Sequence, residues 1–119
     1  CAITGSVDIY AEIVCKHLGI DAWYAITDLH WNNQNELIKV NTVKSFESKD
    51  KKVEFFLEFC NKHNILPDEC VPIGDSSNDI ALFKVTGNGI AVRSEFEAKE
   101  LEEVAWKKID HLIELKEIL

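Results

Sequence analysis

Short apolar segments alternate along this chain with segments whose apolar residues recur at helical intervals, and this alternation limits the fold more than any other feature. The first helical pattern covers residues 7–18 and is closed by Gly19, while the second runs from about residue 51 to residue 63. Alternating strand-like and helix-like segments are typical of a mostly parallel sheet with helices on both faces. The sequence therefore predicts a doubly wound α/β fold.

A β-hairpin is predicted between the two helices. Residues 22–31 are rich in aromatic and aliphatic side chains, residues 37–43 alternate as a strand does, and the intervening Asn32-Asn33-Gln34-Asn35 is typical of a turn. Further short strands are predicted at 1–3, 70–73, 89–92 and 104–106, and further helices at 78–85, 95–102 and 111–119. The buried stripe predicted for the second helix consists of Val53, Phe56, Leu57 and Cys60.

The charge of the chain excludes some classes of partner. A formal net charge of −8 repels the phosphate backbone, so we expect no general binding to nucleic acid. No apolar run approaches the roughly 20 residues that span a bilayer, and the sequence does not begin with a secretory leader pattern. We therefore expect no membrane partner and a cytoplasmic location.

The four cysteines, Cys1, Cys15, Cys60 and Cys70, form no Cys-x-x-Cys pair and have no spacing suited to zinc. Two of them, Cys15 and Cys60, lie within apolar helical patterns, where a buried free thiol is the ordinary case. No feature of the sequence calls for a disulfide.

The segment Ile73-Gly74-Asp75-Ser76-Ser77-Asn78-Asp79 carries the clearest chemical signal. It places one carboxylate at the end of a predicted strand and a second one in the first turn of the next helix. Mg²⁺ prefers hard oxygen ligands and keeps several waters, so one or two carboxylates suffice for a site. The simpler alternative is that Asp75 or Ser77 caps the helix and that Asp79 favours its dipole.

Two other segments could serve the same chemistry. Thr4-Gly5-Ser6 lies at a predicted strand-to-helix junction, where a hydroxyl, a backbone N–H and a helix N-terminus together bind phosphate. Lys51 and Lys52 open the second helix, where a cation opposes the helix dipole unless it faces an anion. Taken alone, the first segment is a simple helix cap and the second is a solvated pair.

In this order the three segments resemble the second, third and fourth motifs of the haloacid dehalogenase superfamily, in its phosphoserine phosphatase-like branch. Residues 2–8 resemble the second motif, Lys52 and the helix after it resemble the third, and residues 71–79 are similar to the fourth, which is the specific one. The hairpin also fits that branch. The resemblance implies a Rossmann-like core and covers essentially the whole chain.

The resemblance also implies roles for single residues. Asp75 would coordinate Mg²⁺, and Asp79 would support the metal site either as a ligand or through contact with a ligand. Lys52, Asp75 and Asp79 are therefore the expected catalytic residues. The expected phosphate ligands are Thr4, the Gly5 amide, Lys52 and Asn78, with Lys51 as the competing candidate for the motif lysine. The implied activity is Mg²⁺-dependent hydrolysis of a small phosphorylated metabolite, phosphoserine first among them, through an aspartyl-phosphate.

The first motif of that superfamily, an Asp-x-Asp on a central strand, occurs nowhere in the 119 residues. Residues 1–119 are therefore expected to be the C-terminal part of such a core, without its first strand and its cap domain, and to be inactive alone. A second chain or an upstream segment would complete the sheet, since two strand edges are otherwise exposed. Two alternatives are a non-catalytic phosphate- or metal-binding regulatory module and a receiver-like signalling domain, although the hairpin and the motif order disfavour the second.

Overall fold

The computed structural model describes residues 1–43, 48–95 and 98–119. They form two compact units, Cys1–Phe55 and Phe56–Leu119, and each unit contains a three-stranded sheet. Helices and parallel strand pairs occur in both units, which confirms the α/β class. No helix in these described ranges is both long enough and apolar enough to cross a membrane.

The first unit is a strand–helix–strand unit followed by a hairpin. Strand β1 (Ala2–Val7) leads into helix α1 (Asp8–Leu18), and α1 returns the chain to β2 (Trp23–Trp31), which pairs with β1 in parallel. Strand β3 (Leu37–Thr42) then pairs with β2 in antiparallel fashion, so the strand order is β1-β2-β3. The hairpin predicted from the Asn-rich turn is confirmed.

Helix α1 shows why the prediction from the sequence succeeded there. Its buried side chains are Ala11 and Cys15, one helical turn apart, so one apolar face is sequestered. The helix ends at Gly19, whose φ of 69° is a left-handed conformation that costs glycine no side-chain clash. Ile20 N–H donates to the carbonyl of Cys15 and satisfies one of the terminal acceptors.

The start of the chain differs from the prediction. Thr4 pairs with Ala25 and Val7 pairs with Thr27, so β1 contains one residue more than β2 between these two pairs. The extra residue is a β-bulge, and Thr4-Gly5-Ser6 therefore lies within β1 rather than in a loop. The prediction of a strand limited to residues 1–3 was wrong because the bulge allows pairing to continue through a glycine.

The second unit begins within helix α2 (Ser48–His63) and continues as alternating short strands and helices. Its strands pair in parallel in the order β4-β5-β6, and 3₁₀ turns cover Pro67–Glu69, Ser77–Asp79 and Leu112–Glu114. The buried side chains of Phe83, Ala91 and Leu101 form its core. The remaining elements are β4 (Ile73–Gly74), α3 (Ile80–Thr86), β5 (Ile90–Val92), α4 (Lys99–Val104), β6 (Lys107–Ile109) and α5 (Leu115–Ile118).

Several predicted boundaries in this unit were displaced. Strand β4 has two residues where four were predicted, and β6 lies three residues later than predicted. Helix α2 starts at Ser48 instead of about residue 51, and part of the helix predicted at 95–102 falls on residues 96 and 97, outside the described ranges. Leu57 is 39% exposed, so its place in the buried stripe was wrong, whereas Phe56 and Cys60 are buried as predicted.

Candidate functional site

The Asp75 loop (residues 74–79) follows β4 directly and is held by its own hydrogen bonds. Asp79 N–H donates to the carbonyl of Ser76 over 3.0 Å, and the Ser76 hydroxyl donates to Asp79 Oδ2 over 3.4 Å. The Asp79 side chain is buried, whereas those of Asp75 and Asn78 are exposed. The loop thus carries one inner carboxylate and one outer carboxylate.

Gly74 packs directly against the inner carboxylate. A Cβ atom built on Gly74 would lie 2.5 Å from Oδ2 and 2.6 Å from Cγ of Asp79. Such distances are well inside van der Waals contact, so any side chain at this position would displace the Asp79 carboxylate. Glycine is therefore required here for close approach rather than for an unusual backbone angle.

A cavity of about 590 Å³ opens beside Asp75 at the carboxyl ends of β5 and β6, the edge where ligands gather in parallel α/β sheets. Its walls are strongly charged, and the ion pairs Arg93–Asp110 and Lys108–Glu102 measure 3.2 Å and 2.8 Å. The hydrogen bond from Lys108 lowers the pKa of Glu102, as does the positive charge of Lys108. The described lining residues are Asp75, Ala91, Val92, Arg93, Ser94, Ala98, Lys99, Leu101, Glu102, Lys108, Ile109, Asp110 and Glu114.

Ser94 connects the end of β5 to the Asp75 loop, because its hydroxyl donates to the Asp75 carbonyl over 3.4 Å. This contact places the backbone of Asp75 against the first residues after the neighbouring strand. Sequence reasoning missed Ser94 as well as the charged cavity residues. For Arg93 and Ser94 the signal was their position directly after the predicted strand 89–92, since such positions share one edge of a parallel sheet. Lys99 and Glu102 lie in a helix and had no such signal.

The donor set of the loop fits a hard divalent cation. Carboxylate oxygens are the ligands that Mg²⁺ prefers, and the loop supplies them from Asp75 and Asp79, four positions apart. Within the described parts of the chain, no group of three or more His, Cys, Asp and Glu side chains could hold a metal ion. A metal bound by this loop would therefore complete its coordination with water or with oxygens from other molecules or segments.

The predicted phosphate ligands of the first unit lie on β1 and α2. Thr4 Oγ1 accepts a hydrogen bond from Ser6 N–H over 3.1 Å, which orients the hydroxyl and leaves its proton for another acceptor. Gly5 is exposed, and, apart from its two chain neighbours, no residue has an atom within 4 Å of the position that a Cβ would occupy. A ligand can therefore approach the Gly5 backbone closely.

The two lysines at the start of α2 differ sharply. Lys52 is only 8% exposed, and lysine is almost never fully buried unless it is paired. The Lys51 ammonium forms an ion pair with Glu54 at 2.7 Å and lies 4.8 Å from the centre of the Phe55 ring. Its charge is therefore already engaged on the surface of the helix.

A family model of haloacid dehalogenase-like hydrolases matches residues 31–105, which is more than half of the chain. The chain belongs to the haloacid dehalogenase-like hydrolase family. The match covers the turn after β2, strand β3, α2 and the Asp75 loop. It thus includes the segments that resemble the third and fourth motifs, whereas residues 2–8, which resemble the second, lie outside it. No curated protein sequence matches this haloacid dehalogenase-like chain.

Solved structures agree with the family. A structure of phosphoserine phosphatase with a phospho-aspartyl intermediate analogue superposes with a TM-score of 0.77 at 26% identity, covering 99% of this chain and 55% of that one. Apo phosphoserine phosphatase gives 0.75 at 26% identity, with 97% and 56% covered. A haloacid dehalogenase family hydrolase from Salmonella enterica serovar Typhi shares the fold at 18% identity, with a TM-score of 0.72 and 92% and 36% covered.

This haloacid dehalogenase-like chain thus spans between about a third and just over half of the length of these structures. Its predicted site residues fall into both units: Thr4, Gly5 and Lys52 in the first, and Asp75, Asn78 and Asp79 in the second. The structure brings the second group together in one loop. That both groups bind one phosphate stays a prediction.

Proposed function

We propose that this chain carries the metal- and phosphate-binding residues of a Mg²⁺-dependent phosphomonoester hydrolase similar to phosphoserine phosphatase. The observation that carries the proposal is the geometry of the Asp75 loop. The absence of a side chain at Gly74 leaves room for the buried Asp79 carboxylate, and Asp75 in the same loop is exposed. Family membership and the 26% identity to phosphoserine phosphatase structures support the same assignment. The proposed substrate is a small phosphorylated metabolite, and phosphoserine is the first to test.

Each residue has one proposed task. Asp75 and Asp79 hold the cation, which supplies positive charge that stabilises the transferring phosphoryl group. The Thr4 hydroxyl, the Gly5 amide and the Asn78 side-chain amide donate hydrogen bonds to phosphate oxygens. Lys52 adds a fixed positive charge, and its burial supports its choice over Lys51 because a charge shielded from water acts more strongly on a nearby anion.

The proposed nucleophile is an aspartate that lies outside these 119 residues, since the sequence contains no Asp-x-Asp. An upstream segment or a second chain would provide it, and residues 1–119 alone would then be inactive. The sheets offer places for an added strand, because β1 and β4 are edge strands of their sheets in the described residues. An edge strand presents unpaired N–H and C=O groups to a further strand.

Hydrolysis of an aryl phosphate by the longest natural form of the protein tests the proposal. We expect turnover that requires Mg²⁺ and that falls at least about 100-fold in Asp75→Asn, because charge stabilisation is lost. Asp68→Asn is the matched control, since Asp68 is also exposed and lies outside the Asp75 loop, in the 3₁₀ turn Pro67–Glu69. Turnover that is independent of Mg²⁺, or equal in the two variants, would refute the assignment.

The alternative function is a non-catalytic module that binds phosphate or Mg²⁺, and the missing Asp-x-Asp is the observation that favours it. Isothermal titration calorimetry on the same longest form separates the two. Binding of Mg²⁺ or inorganic phosphate without any turnover would support the module, whereas Mg²⁺-dependent turnover would exclude it.

A further inference from the structure

Two cysteines of the second unit lie side by side. The Cys60 and Cys70 sulfur atoms are 4.0 Å apart, and both are free thiols. A disulfide bond is about 2.05 Å long, so closure requires the two sulfur atoms to approach by about 2 Å. Cys60 is buried near the end of α2, whereas Cys70 is half-buried after the 3₁₀ turn at Pro67–Glu69.

Local backbone structure holds this pair together. Helix α2 is followed by Asn64, which has a left-handed φ of 53°, and Ile65 N–H donates back to the Cys60 carbonyl over 3.0 Å. This is the reversal that commonly ends helices. The 3₁₀ turn then fixes Cys70, whose N–H donates to the Pro67 carbonyl over 3.2 Å.

A side-chain contact stiffens the same turn. The Glu69 carboxylate accepts a hydrogen bond from Leu66 N–H over 2.7 Å at the start of the turn. The ten-residue separation of the cysteines is thus spanned by two hydrogen-bonded turns rather than by an open loop. Their proximity follows from this local geometry and not from a chance contact of distant segments.

We propose that Cys60 and Cys70 are a redox modification site at which a reversible intramolecular disulfide forms. The bond would tie the end of α2 to the segment that enters β4, three residues before Ile73 and five before Asp75. It would close a short covalent ring between two cysteines that already lie side by side in the reduced structure. The proposal concerns these thiols alone and does not depend on the proposed phosphatase activity.

The oxidant we propose is a low-molecular-weight disulfide such as oxidised glutathione. The Cys70 thiolate attacks one of its sulfur atoms, forming a mixed disulfide and releasing one thiolate. The Cys60 thiolate then attacks the Cys70 sulfur, forming the Cys60–Cys70 bond and releasing the second thiolate. Two cysteine thiols are oxidised, one small disulfide is reduced to two thiols, and the protons that leave the cysteines are taken up by the released thiolates or by buffer.

The order of attack follows from the environments of the two thiols. Burial, followed by the neighbouring Cys70, raises the pKa of Cys60 to about 11, so its thiolate is scarce near neutral pH. Cys70 is the more accessible of the pair and therefore reacts first. Cys60 acts second, when the mixed disulfide is held beside it.

The test uses the full chain with Cys1→Ser, because Cys1 is exposed and would react on its own. After equilibration with oxidised glutathione, the protein is quenched in acid, unfolded and alkylated. We expect one alkylated cysteine, Cys15, and, apart from the mass of that alkyl group, a mass two hydrogen atoms below that of the reduced chain. Trypsin cleaves after Lys62, between the two cysteines, so peptides 53–62 and 63–84 should be recovered as a disulfide-linked pair.

Three single variants in the same background complete the design. Cys15→Ser should leave the linked pair unchanged, Cys70→Ser should abolish it, and Cys60→Ser should stop at a glutathione adduct on Cys70. Circular dichroism checks that each variant is folded. If Cys60→Ser does not fold because Cys60 is buried, the loss of the linked pair in Cys70→Ser is the deciding result. A persistent glutathione adduct on Cys70 with Cys60 present, or three alkylated cysteines after oxidation, would overturn the proposal.

Discussion

The missing side chain of Gly74 and the carboxylate of Asp79 occupy neighbouring space, since a Cβ on Gly74 would lie 2.5 Å from Asp79 Oδ2. The carboxylate is buried and accepts a hydrogen bond from the Ser76 hydroxyl. One glycine thus determines where the inner acidic group of the Asp75 loop lies.

We predict that Gly74→Ala displaces the Asp79 carboxylate and destabilises the second unit by about 1–3 kcal/mol, the usual cost of overpacking. Urea denaturation followed by circular dichroism measures the free energy of unfolding. Mg²⁺-dependent turnover of the longest natural form should fall together with stability, because the proposed metal site would lose its inner carboxylate.

Gly5→Ala is the stability control for that experiment. Apart from the two chain neighbours of Gly5, no residue has an atom within 4 Å of its Cβ position, and the φ of Gly5 is not positive. Its replacement should therefore change the free energy of unfolding by no more than about 0.5 kcal/mol. Equal losses in Gly74→Ala and Gly5→Ala would show that the close contact with Asp79 does not matter.

The two lysines of α2 give a second prediction. Lys52→Met keeps most of the length of the side chain but removes the buried charge, so turnover of the longest natural form should fall at least about 100-fold. Inorganic phosphate should also inhibit this variant more weakly than the parent. Lys51→Met removes an ammonium that is paired with Glu54 on the surface and should retain most activity. Similar activities in the two variants would contradict the choice of Lys52.

Glycines and turn residues explain which parts of the fold could be predicted. Gly19 and Gly87 end α1 and α3 in left-handed conformations, with φ of 69° and 76°, and such helix ends are visible in a sequence. The Asn-rich turn between β2 and β3 is similarly local. In each case the signal and the structure that it determines lie within a few residues of each other.

Strand boundaries in the second unit could not be predicted in this way. Strand β6 is Lys107–Ile109, where only Ile109 is buried, and it pairs with β5 through Ile90 and Lys107. Of the more apolar residues just before it, Val104 ends α4 and Ala105 caps that helix. Pairing with a distant strand determines β6, and a window of local sequence does not contain that information.

The candidate site was predictable in the loop and less so around it. The order strand, Gly74, Asp75 and helix is local, and the structure has it. That Asp79 is buried against Gly74, and that the Ser94 hydroxyl reaches the Asp75 carbonyl, depends on three-dimensional packing. Sequence reasoning left Lys51 as a competitor of Lys52, and the burial of Lys52 and the Glu54 ion pair of Lys51 distinguish the two.

The core of the second unit provides a stability prediction. Phe83 is 1% exposed and packs with Ala91 and Leu101, so Phe83→Ala should lower the free energy of unfolding by about 3–5 kcal/mol. Leu57→Ala, at a position predicted as buried but 39% exposed, should lower it by about 1 kcal/mol or less. Urea titrations of both variants measure these losses. A loss for Leu57→Ala clearly above about 1 kcal/mol would contradict the observed exposure of Leu57.

The ion pair beside the cavity gives a prediction about pH. Lys108 donates a hydrogen bond of 2.8 Å to Glu102 and lowers the pKa of that carboxyl. A carboxyl with a lowered pKa in the folded state contributes stability above its unfolded pKa, and this contribution is lost as the pH falls through the folded value. Because both side chains are largely exposed, the contribution should be small and should weaken with salt.

We therefore predict that Lys108→Met raises the pKa of Glu102 toward its ordinary value. An NMR titration of the Glu102 side-chain carboxyl carbon measures the change directly. Lys107→Met is the control, because the Lys107 ammonium lies 4.7 Å from the centre of the Trp106 ring and is not among the groups that lower the Glu102 pKa. The Glu102 pKa should differ between the two variants, since Lys108, unlike Lys107, donates a hydrogen bond to the Glu102 carboxylate. An unchanged Glu102 titration in Lys108→Met would mean that this hydrogen bond is not maintained in solution.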